Sequence, residues 1–238
     1  MTQIAIDGPA GAGKSSVARK VASRLGLQYL DTGAMYRSIT FLAIHKDIDF
    51  NNGEEIAEAA RRCNLEIRFD ETAGSLIRLD GEDITDEIRS SEINKHVSVI
   101  SQHPEVRDVL VLLQQRIADK SSDIVMEGRD IGTNVLKQAD YKFFVSASID
   151  ERARRRWQEM LNKGVNVPLD DVKAEIAMRD RIDQGREVSP LSVAKDAKVI
   201  DTTLYTEDEV VEKILDSIVI SGKKVNSVQG KKSAKEVG

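Results

Sequence analysis

Eight residues near the start of the chain, Gly8-Pro9-Ala10-Gly11-Ala12-Gly13-Lys14-Ser15, constrain its fold more than any others. They fit G-x-x-x-x-G-K-[ST], a glycine-rich turn whose backbone N–H groups converge on an anion. A Cβ at Gly8, Gly11 or Gly13 would hinder the backbone conformations and the close approach that such a cradle needs. Lys14 is spaced to reach the outer phosphates of a nucleoside triphosphate, and the Ser15 hydroxyl to ligate Mg2+. Pro9, Ala10, Ala12 and Ser16 complete the expected nucleotide-binding set, and the helix that follows adds its positive end. The flanks agree with this reading. Ile4 and Ile6 lie in a short apolar run suited to a buried parallel strand, and Val17, Ala18, Val21, Ala22 and Leu25 share one helical face. Gly26 stands where a helix-ending glycine belongs. A dinucleotide fingerprint fits poorly, because Gly11 to Ser16 ends in serine where a glycine is required. The chain is expected to bind a nucleoside triphosphate.

Further along, Leu27–Asp31, Asp123–Glu127, Tyr141–Val145 and Ala197–Asp201 read as four more short strands separated by helical stretches. Alternation of this kind predicts an α/β fold, a five-stranded parallel sheet with helices on both faces. Ligands of such sheets collect beyond the carboxyl ends of the strands, which here carry Asp7, Asp31, Glu127 and Asp201. One segment departs from the rhythm. Leu65–Phe69 and Leu76–Ile84 alternate with period two, and Asp80-Gly81 is a hairpin signal, so a small antiparallel lobe is expected over about residues 62–88. A helix opening at Pro104 is expected to turn Val106, Val109, Leu110, Leu113 and Ile117 inward and to leave Arg107 off that face. Ser148–Glu151 and Thr206–Glu209 read as capping boxes.

With 238 residues, 40% of them hydrophobic, the chain can form one sizeable core and a small appended lobe. No apolar run approaches the length that spans a bilayer, and the loop lies too near the start to follow a signal peptide, so a cytoplasmic enzyme is expected. Cys63 is the single cysteine and reads as a small buried side chain. His45, His96 and His103 have no metal-ligand spacing. The net charge of −5 is uneven: residues 222–238 hold five lysines and one glutamate, leaving 30 basic against 39 acidic residues elsewhere. The tail reads as a disordered basic extension, and the acidic body argues against a dedicated nucleic-acid or membrane partner.

Arginines carry the remaining chemistry. Arg37, Arg107 and Arg129 follow strand ends or begin helices, Arg152, Arg154, Arg155 and Arg156 open one helix, and Arg179, Arg181 and Arg186 form a second dense stretch. Several separated arginines suit phosphoryl transfer, in which the protein positions and neutralises a highly charged donor and acceptor. A GTPase base reader is missing, since Asn94-Lys95-His96-Val97 lacks the required acid. Met126-Glu127-Gly128 also lacks the acidic pair of a motor or transporter ATPase. A kinase of small substrates remains.

Four strings make the resemblance specific. Ile4–Ser15, Leu30–Arg37 (Leu-Asp-Thr-Gly-Ala-Met-Tyr-Arg), Glu127–Thr133 (Glu-Gly-Arg-Asp-Ile-Gly-Thr) and Arg179–Leu191 resemble, in the same order, strings of the bacterial cytidylate kinases. The resemblance covers Thr2 to about Ile220. It implies a fold of the P-loop NTP hydrolase type with an inserted acceptor-binding lobe and a helical lid. It further implies transfer of the γ-phosphate of ATP, with Mg2+, to CMP or dCMP. By the same resemblance Arg37, Arg129 and Arg186 hold the acceptor phosphate, Ser98, Arg107 and Asp130 read cytosine, and Arg179 with Asp183 contact the sugar. Thr32 joins the acceptor site where some relatives have serine. Lys14, Arg129, Arg155 and Arg156 are the expected catalytic groups, the last two on the lid. One kinase domain over residues 1–221 is expected: core 1–35, 104–150 and 190–221, acceptor part 36–103, lid 151–189. The protein is expected to act as a monomer.

Overall fold

A computed structural model of the protein describes residues 1–70, 74–121, 123–220 and 223–224. In chain order the elements are β1 (Thr2–Asp7), α1 (Lys14–Leu25), β2 (Gln28–Asp31), α2 (Thr32–His45), α3 (Gly53–Arg62), β3 (Leu65–Asp70), β4 (Gly74–Leu79) and β5 (Glu82–Asp83). There follow α4 (Ser91–Ile100), α5 (Pro104–Lys120), β6 (Asp123–Gly128), β7 (Tyr141–Ser146), α6 (Ile149–Asn162), α7 (Leu169–Gly185), β8 (Lys198–Asp201), α8 (Glu207–Leu215), β9 (Val219–Ile220) and β10 (Lys223–Lys224). A 3-10 turn covers Glu87–Arg89 and a π turn covers Ile131–Val135.

The five expected strands form one parallel sheet in the order β2-β6-β1-β7-β8. The pleat sends alternate residues to opposite faces, so each strand contributes to two cores. Ile4, Ile6, Val125, Phe143 and Val145 pack with Val17 and Val21 of α1 and Val210 and Ile214 of α8. Ala5, Leu30, Ile124 and Met126 pack on the other face with Met35 and Ile39 of α2 and Leu110 of α5. Burial on both faces is what makes these strands near-continuous apolar runs. Gly26 ends α1 with φ 67°, and its N–H and that of Leu27 return to the last carbonyls of the helix.

The antiparallel lobe is β3-β4-β5. Asp80 and Gly81, both at positive φ, close the Leu79–Glu82 pair as a two-residue turn. The sheet itself spans residues 65–83, because Arg62 still belongs to α3. Ile77, Leu79, Ile84 and Ile88 share a core with α2 and α5, so the lobe has no separate apolar centre.

Helices α6 and α7 do have one. Ala153, Val172 and Ile176 pack with Trp157 and Met160, and the Trp157 indole N–H donates to Val167 O at 2.9 Å. This third cluster is distinct from the two that line the sheet.

Three local expectations need correction. The buried face of α5 is Val106, Arg107, Leu110, Gln114 and Ala118, while Val109, Leu113 and Ile117 are only partly covered. Apolar spacing alone misplaces the face, because two buried polar side chains belong to it. Only Thr206–Glu209 is a reciprocal capping box. Ser148 accepts from Glu151 N–H, but the Glu151 carboxylate is drawn away by Arg154 and Arg155. Cys63 is partly rather than fully buried, and burial raises its thiol to about 11. Of the expected disordered tail, Lys223–Lys224 pair with β9 in an antiparallel ribbon, and residues 222 and 225–238 lie outside the described residues.

Candidate active site

The carboxyl edge of the sheet opens into a cleft of about 920 Å³, roofed by α6 and α7. Its floor is the glycine-rich turn between β1 and α1. Gly8 takes φ 151°, and a Cβ there would stand 1.9 Å from Val145 O, so only glycine lets the turn pass the end of β7. Lys14 is 5% exposed, and its Nζ donates to Pro9 O at 2.8 Å. Burial, then the positive charge of Arg129, lowers the Lys14 ammonium from the usual lysine range. Ser15 lies exposed at the cleft, and Ser16 Oγ donates to Gly13 O at 3.0 Å.

Two of the four strand-end acids, Glu127 and Asp31, line the cleft. Glu127 is buried, accepts from Tyr29 Oη at 2.5 Å and lies within reach of Ser15. Burial, and then neighbouring Asp31, raise its carboxyl. Asp31 caps α2 through Ala34 N–H and accepts from Arg37 Nη2 at 2.7 Å. Asp7 sits beneath the turn, where it accepts the N–H groups of Ile131 at 2.8 Å and Gly132 at 2.7 Å. Burial raises it to about 6. Asp201 does not join them: it is exposed and holds its own loop through Thr203. The Thr32 hydroxyl donates to Glu127 O at 2.7 Å, stapling α2 to β6.

Facing the turn is a wall of guanidinium groups. Asp183, buried on α7, accepts from Arg129 Nε at 2.8 Å and from Arg186 Nη2. Burial alone would raise its carboxyl, but Arg129, Arg186 and Arg179 outweigh it and hold the group at about 2. Burial and then Arg129 bring the Arg179 guanidinium down to about 10. The Nε groups of Arg37, Arg179 and Arg186 are buried without a hydrogen-bond partner. Four cations around so few carboxylates, with donors left over, form an anion site.

Beside this wall Arg107, 1% exposed, donates from Nη2 to Asp130 Oδ2 at 2.5 Å and from Nη1 to Ser101 O at 3.3 Å. Its guanidinium lies 5.5 Å from the centre of the Tyr36 ring. Asp130 and Ser98 line the cleft, whereas Arg107 stands behind Asp130 and orients it. On α6, Arg155 donates to Glu151 and to both the hydroxyl and the carbonyl of Thr202, beside Gly13. Arg154 and Arg156 border the cleft but pair with Glu151 and Glu159.

All the sequence-proposed residues from Ala10 to Ser16, and Thr32, Arg37, Ser98, Arg129, Asp130, Arg155, Arg156, Arg179, Asp183 and Arg186, thus line one cleft. Gly8 and Pro9 support it from below. Sequence reasoning missed Tyr36, Ser101 and the β8–α8 connection Thr202–Tyr205, where Leu204 is 92% exposed at the cleft rim. Only the position of that connection, beyond a strand end, could have pointed to it.

A phosphate-cradling turn on a parallel sheet, opposed by a wall of arginines beneath two helices, defines a kinase of the P-loop class. The sequence profile of the cytidylate kinase family matches residues 4–219, and the chain belongs to that family. It is 50% identical over 216 residues to the cytidylate kinase of Caldanaerobacter subterraneus subsp. tengcongensis, covering 91% of this chain and 94% of that one. The cytidylate kinases of Shouchella clausii and Bacillus cereus are 47% and 46% identical, across 90% and 92% of this chain and 95% and 96% of theirs. The protein is a nucleoside monophosphate kinase.

Proposed function

We propose that ATP lies with its outer phosphates on Gly8–Ser16 and that CMP or dCMP lies opposite, its phosphate held by Arg37, Arg129 and Arg186. The family sets the reaction as phosphoryl transfer from ATP to CMP. The observation that carries the division of labour is the arginine wall, which lines the same cleft as the triphosphate cradle and keeps buried donors that no protein group satisfies. An oxygen of the acceptor phosphate attacks the γ-phosphorus as its bond to the β–γ bridging oxygen breaks, leaving ADP. A phosphate dianion brings no proton to remove, so alignment and charge neutralisation supply the catalysis. Lys14 serves the β- and γ-phosphates. Arg129, tied to Asp183, serves the transferred group and the acceptor together. Arg155 and Arg156 reach it from the lid on closure, which excludes water.

Cytosine is read by Asp130 and Ser98, with Arg107 setting the Asp130 carboxylate. Asp130 accepts from the exocyclic amine, and Ser98 donates to a ring acceptor. Arg179 and Asp183 border the sugar, Asp183 chiefly by fixing the arginines around it. Mg2+ fits the corner where the Ser15 hydroxyl faces the Glu127 and Asp31 carboxylates. Burial, and then the Asp31 carboxylate beside it, disfavour the charged form of Glu127, and a cation would relieve both. Bound there, Mg2+ neutralises charge on the β- and γ-phosphates. In domain terms, residues 36–103 form the acceptor part and 151–189 the lid, on a core made of the rest up to residue 221. We read the enzyme as a cytoplasmic monomer without a nucleic-acid or membrane partner, and its native mass tests the first point. No helix among the described residues is long and apolar enough to cross a membrane.

Arginine substitution tests the acceptor assignment. Arg129→Ala should weaken CMP, dCMP and UMP alike, since all three share the phosphate. Arg129→Lys should recover only part, because a point charge replaces a planar fork. A defect confined to cytosine nucleotides would move Arg129 to the base site.

A further inference from the structure

One arginine of the α6 run has no place in the chemistry above. Arg152 is buried at the base of the lid and does not line the cleft. All three of its nitrogens are engaged, each to a different part of the molecule. Nη1 donates to Ala10 O in the phosphate turn at 3.0 Å, and Nε donates to Ala147 O just beyond β7 at 3.0 Å. Nη2 meets Asp180 Oδ2 on α7 at 2.7 Å. The helix backbone also presses on the turn, since a Cβ on Gly11 would lie 3.2 Å from Arg152 Cβ and O. The second Asp180 oxygen is buried without a hydrogen-bond partner, so Arg152 is the one ion-pair contact of this carboxylate among the described residues, although its charge is also felt by Arg129.

The position of Asp180 gives the contact its consequence. Arg179 precedes it and Asp183 lies one turn on, and both face the cleft. The face of α7 that reaches the acceptor site is therefore indexed, through Asp180 and Arg152, to a carbonyl of the turn that holds the donor. We infer that Arg152 is a positioning residue that couples the lid to the phosphate turn, so that the acceptor arginines and the ATP cradle keep one register. Neighbouring Arg155, one turn further along the same side of α6, grips Thr202. The two arginines, three residues apart, give the helix a fixed buried anchor and a cleft-facing contact. Angular errors of a helix at its base grow along its length. A displacement of about 1 Å at a reacting group can cost on the order of a hundredfold in rate.

The inference rests on the phosphoryl-transfer reading, which the unsubstituted enzyme tests in the same assay. Steady-state kinetics with ATP and CMP varied independently should compare Asp180→Asn, Asp180→Glu, Arg152→Lys and the double variant Arg152→Lys/Asp180→Asn, with thermal melting recorded for each. Asp180→Asn should lower kcat by about ten- to a hundredfold while the KM for ATP moves little. Asp180→Glu should restore part of kcat, and the double variant should be no slower than the worse single one, because the pair acts as a unit. Should Asp180→Asn melt below the assay temperature, Arg152→Lys, which keeps the charge, is read for the same kcat loss. A folded variant with unchanged kcat, or losses that multiply in the double variant, would overturn the coupling. So would a fall in melting temperature alone.

Discussion

Asp183→Asn removes one negative charge from the centre of the arginine wall while keeping its shape. Its carboxylate is held at about 2 against an ordinary 3.8 because Arg129, Arg186 and Arg179 surround it in a buried site. At about 1.4 kcal/mol per unit, the ionised group contributes about 2–3 kcal/mol to stability at neutral pH. The amide also leaves buried guanidinium groups short of a partner, which elsewhere costs about 3–5 kcal/mol. The two figures describe the same pairing and are not added, so a loss of about 2–5 kcal/mol is expected, or a melting temperature lower by roughly 4–20 °C for a domain of this size. The pH dependence follows from the sign of the shift. Because the folded value lies below the unfolded one, the contribution is complete above pH 4 and disappears as the pH falls toward 2. Urea unfolding at pH 7.5, 5.5 and 3.5 should show a constant gap between native and variant proteins at the first two and a narrower gap at the last. CMP or inorganic phosphate should stabilise the variant more than the native enzyme, since an added anion replaces the missing charge. An equally stable variant at pH 7.5, or a gap that widens in acid, would refute the reasoning.

Lys14→Ala should stay folded and lose about a hundredfold or more in kcat, as removal of one transition-state donor does; near-native turnover would remove Lys14 from its role. Gly8→Ala drives a methyl into Val145 O. It should abolish ATP binding measured by calorimetry or prevent folding, and a variant that binds ATP normally would show the turn to be more yielding than its geometry. Asp7 has the opposite pH sign to Asp183. Its folded carboxyl is raised to about 6, so native stability should decline as pH rises from 4 to 7, by about 3 kcal/mol at this site. Asp7→Asn should flatten that decline in urea titrations, and an equal slope in both proteins would exclude Asp7 as its source.

Much of the fold was legible because its signals are local. Ile4 and Ile6 before a glycine-rich turn, the apolar face of α1 and Gly26 at its end are each specified within a few residues. Asp80-Gly81 defined its hairpin for the same reason, both residues lying at positive φ. The face of α5 was not legible. Arg107 and Gln114 turn inward, and what justifies the buried charge is Asp130, 23 residues away in sequence. Nor did composition or spacing distinguish the arginines of α6, of which only the family resemblance singled out Arg155 and Arg156; they differ in what the fold sets against them. Arg152 meets two carbonyls and Asp180, Arg155 meets Thr202, and Arg154 meets only Glu151 and solvent. Only the family strings brought Arg179, Asp183 and Arg186 to one site, since their joint burial around one carboxylate leaves no periodic trace.

The cleft couples ATP to a cytosine monophosphate. The direct measurement is ADP formation by the native enzyme with CMP, dCMP, UMP, AMP or dTMP as sole acceptor, and with none. In the proposed base site, Asp130 and Ser98 would meet the donor and acceptor edge of cytosine. Uracil would set its O4 against the Asp130 carboxylate, and sites that hydrogen-bond their substrate reject such mispaired analogues by up to roughly four or five orders of magnitude. CMP and dCMP should give kcat/KM values well above those for UMP, AMP and dTMP, with little ADP formed when the acceptor is omitted. ADP formation indifferent to the acceptor, or UMP used as well as CMP, would contradict the claim.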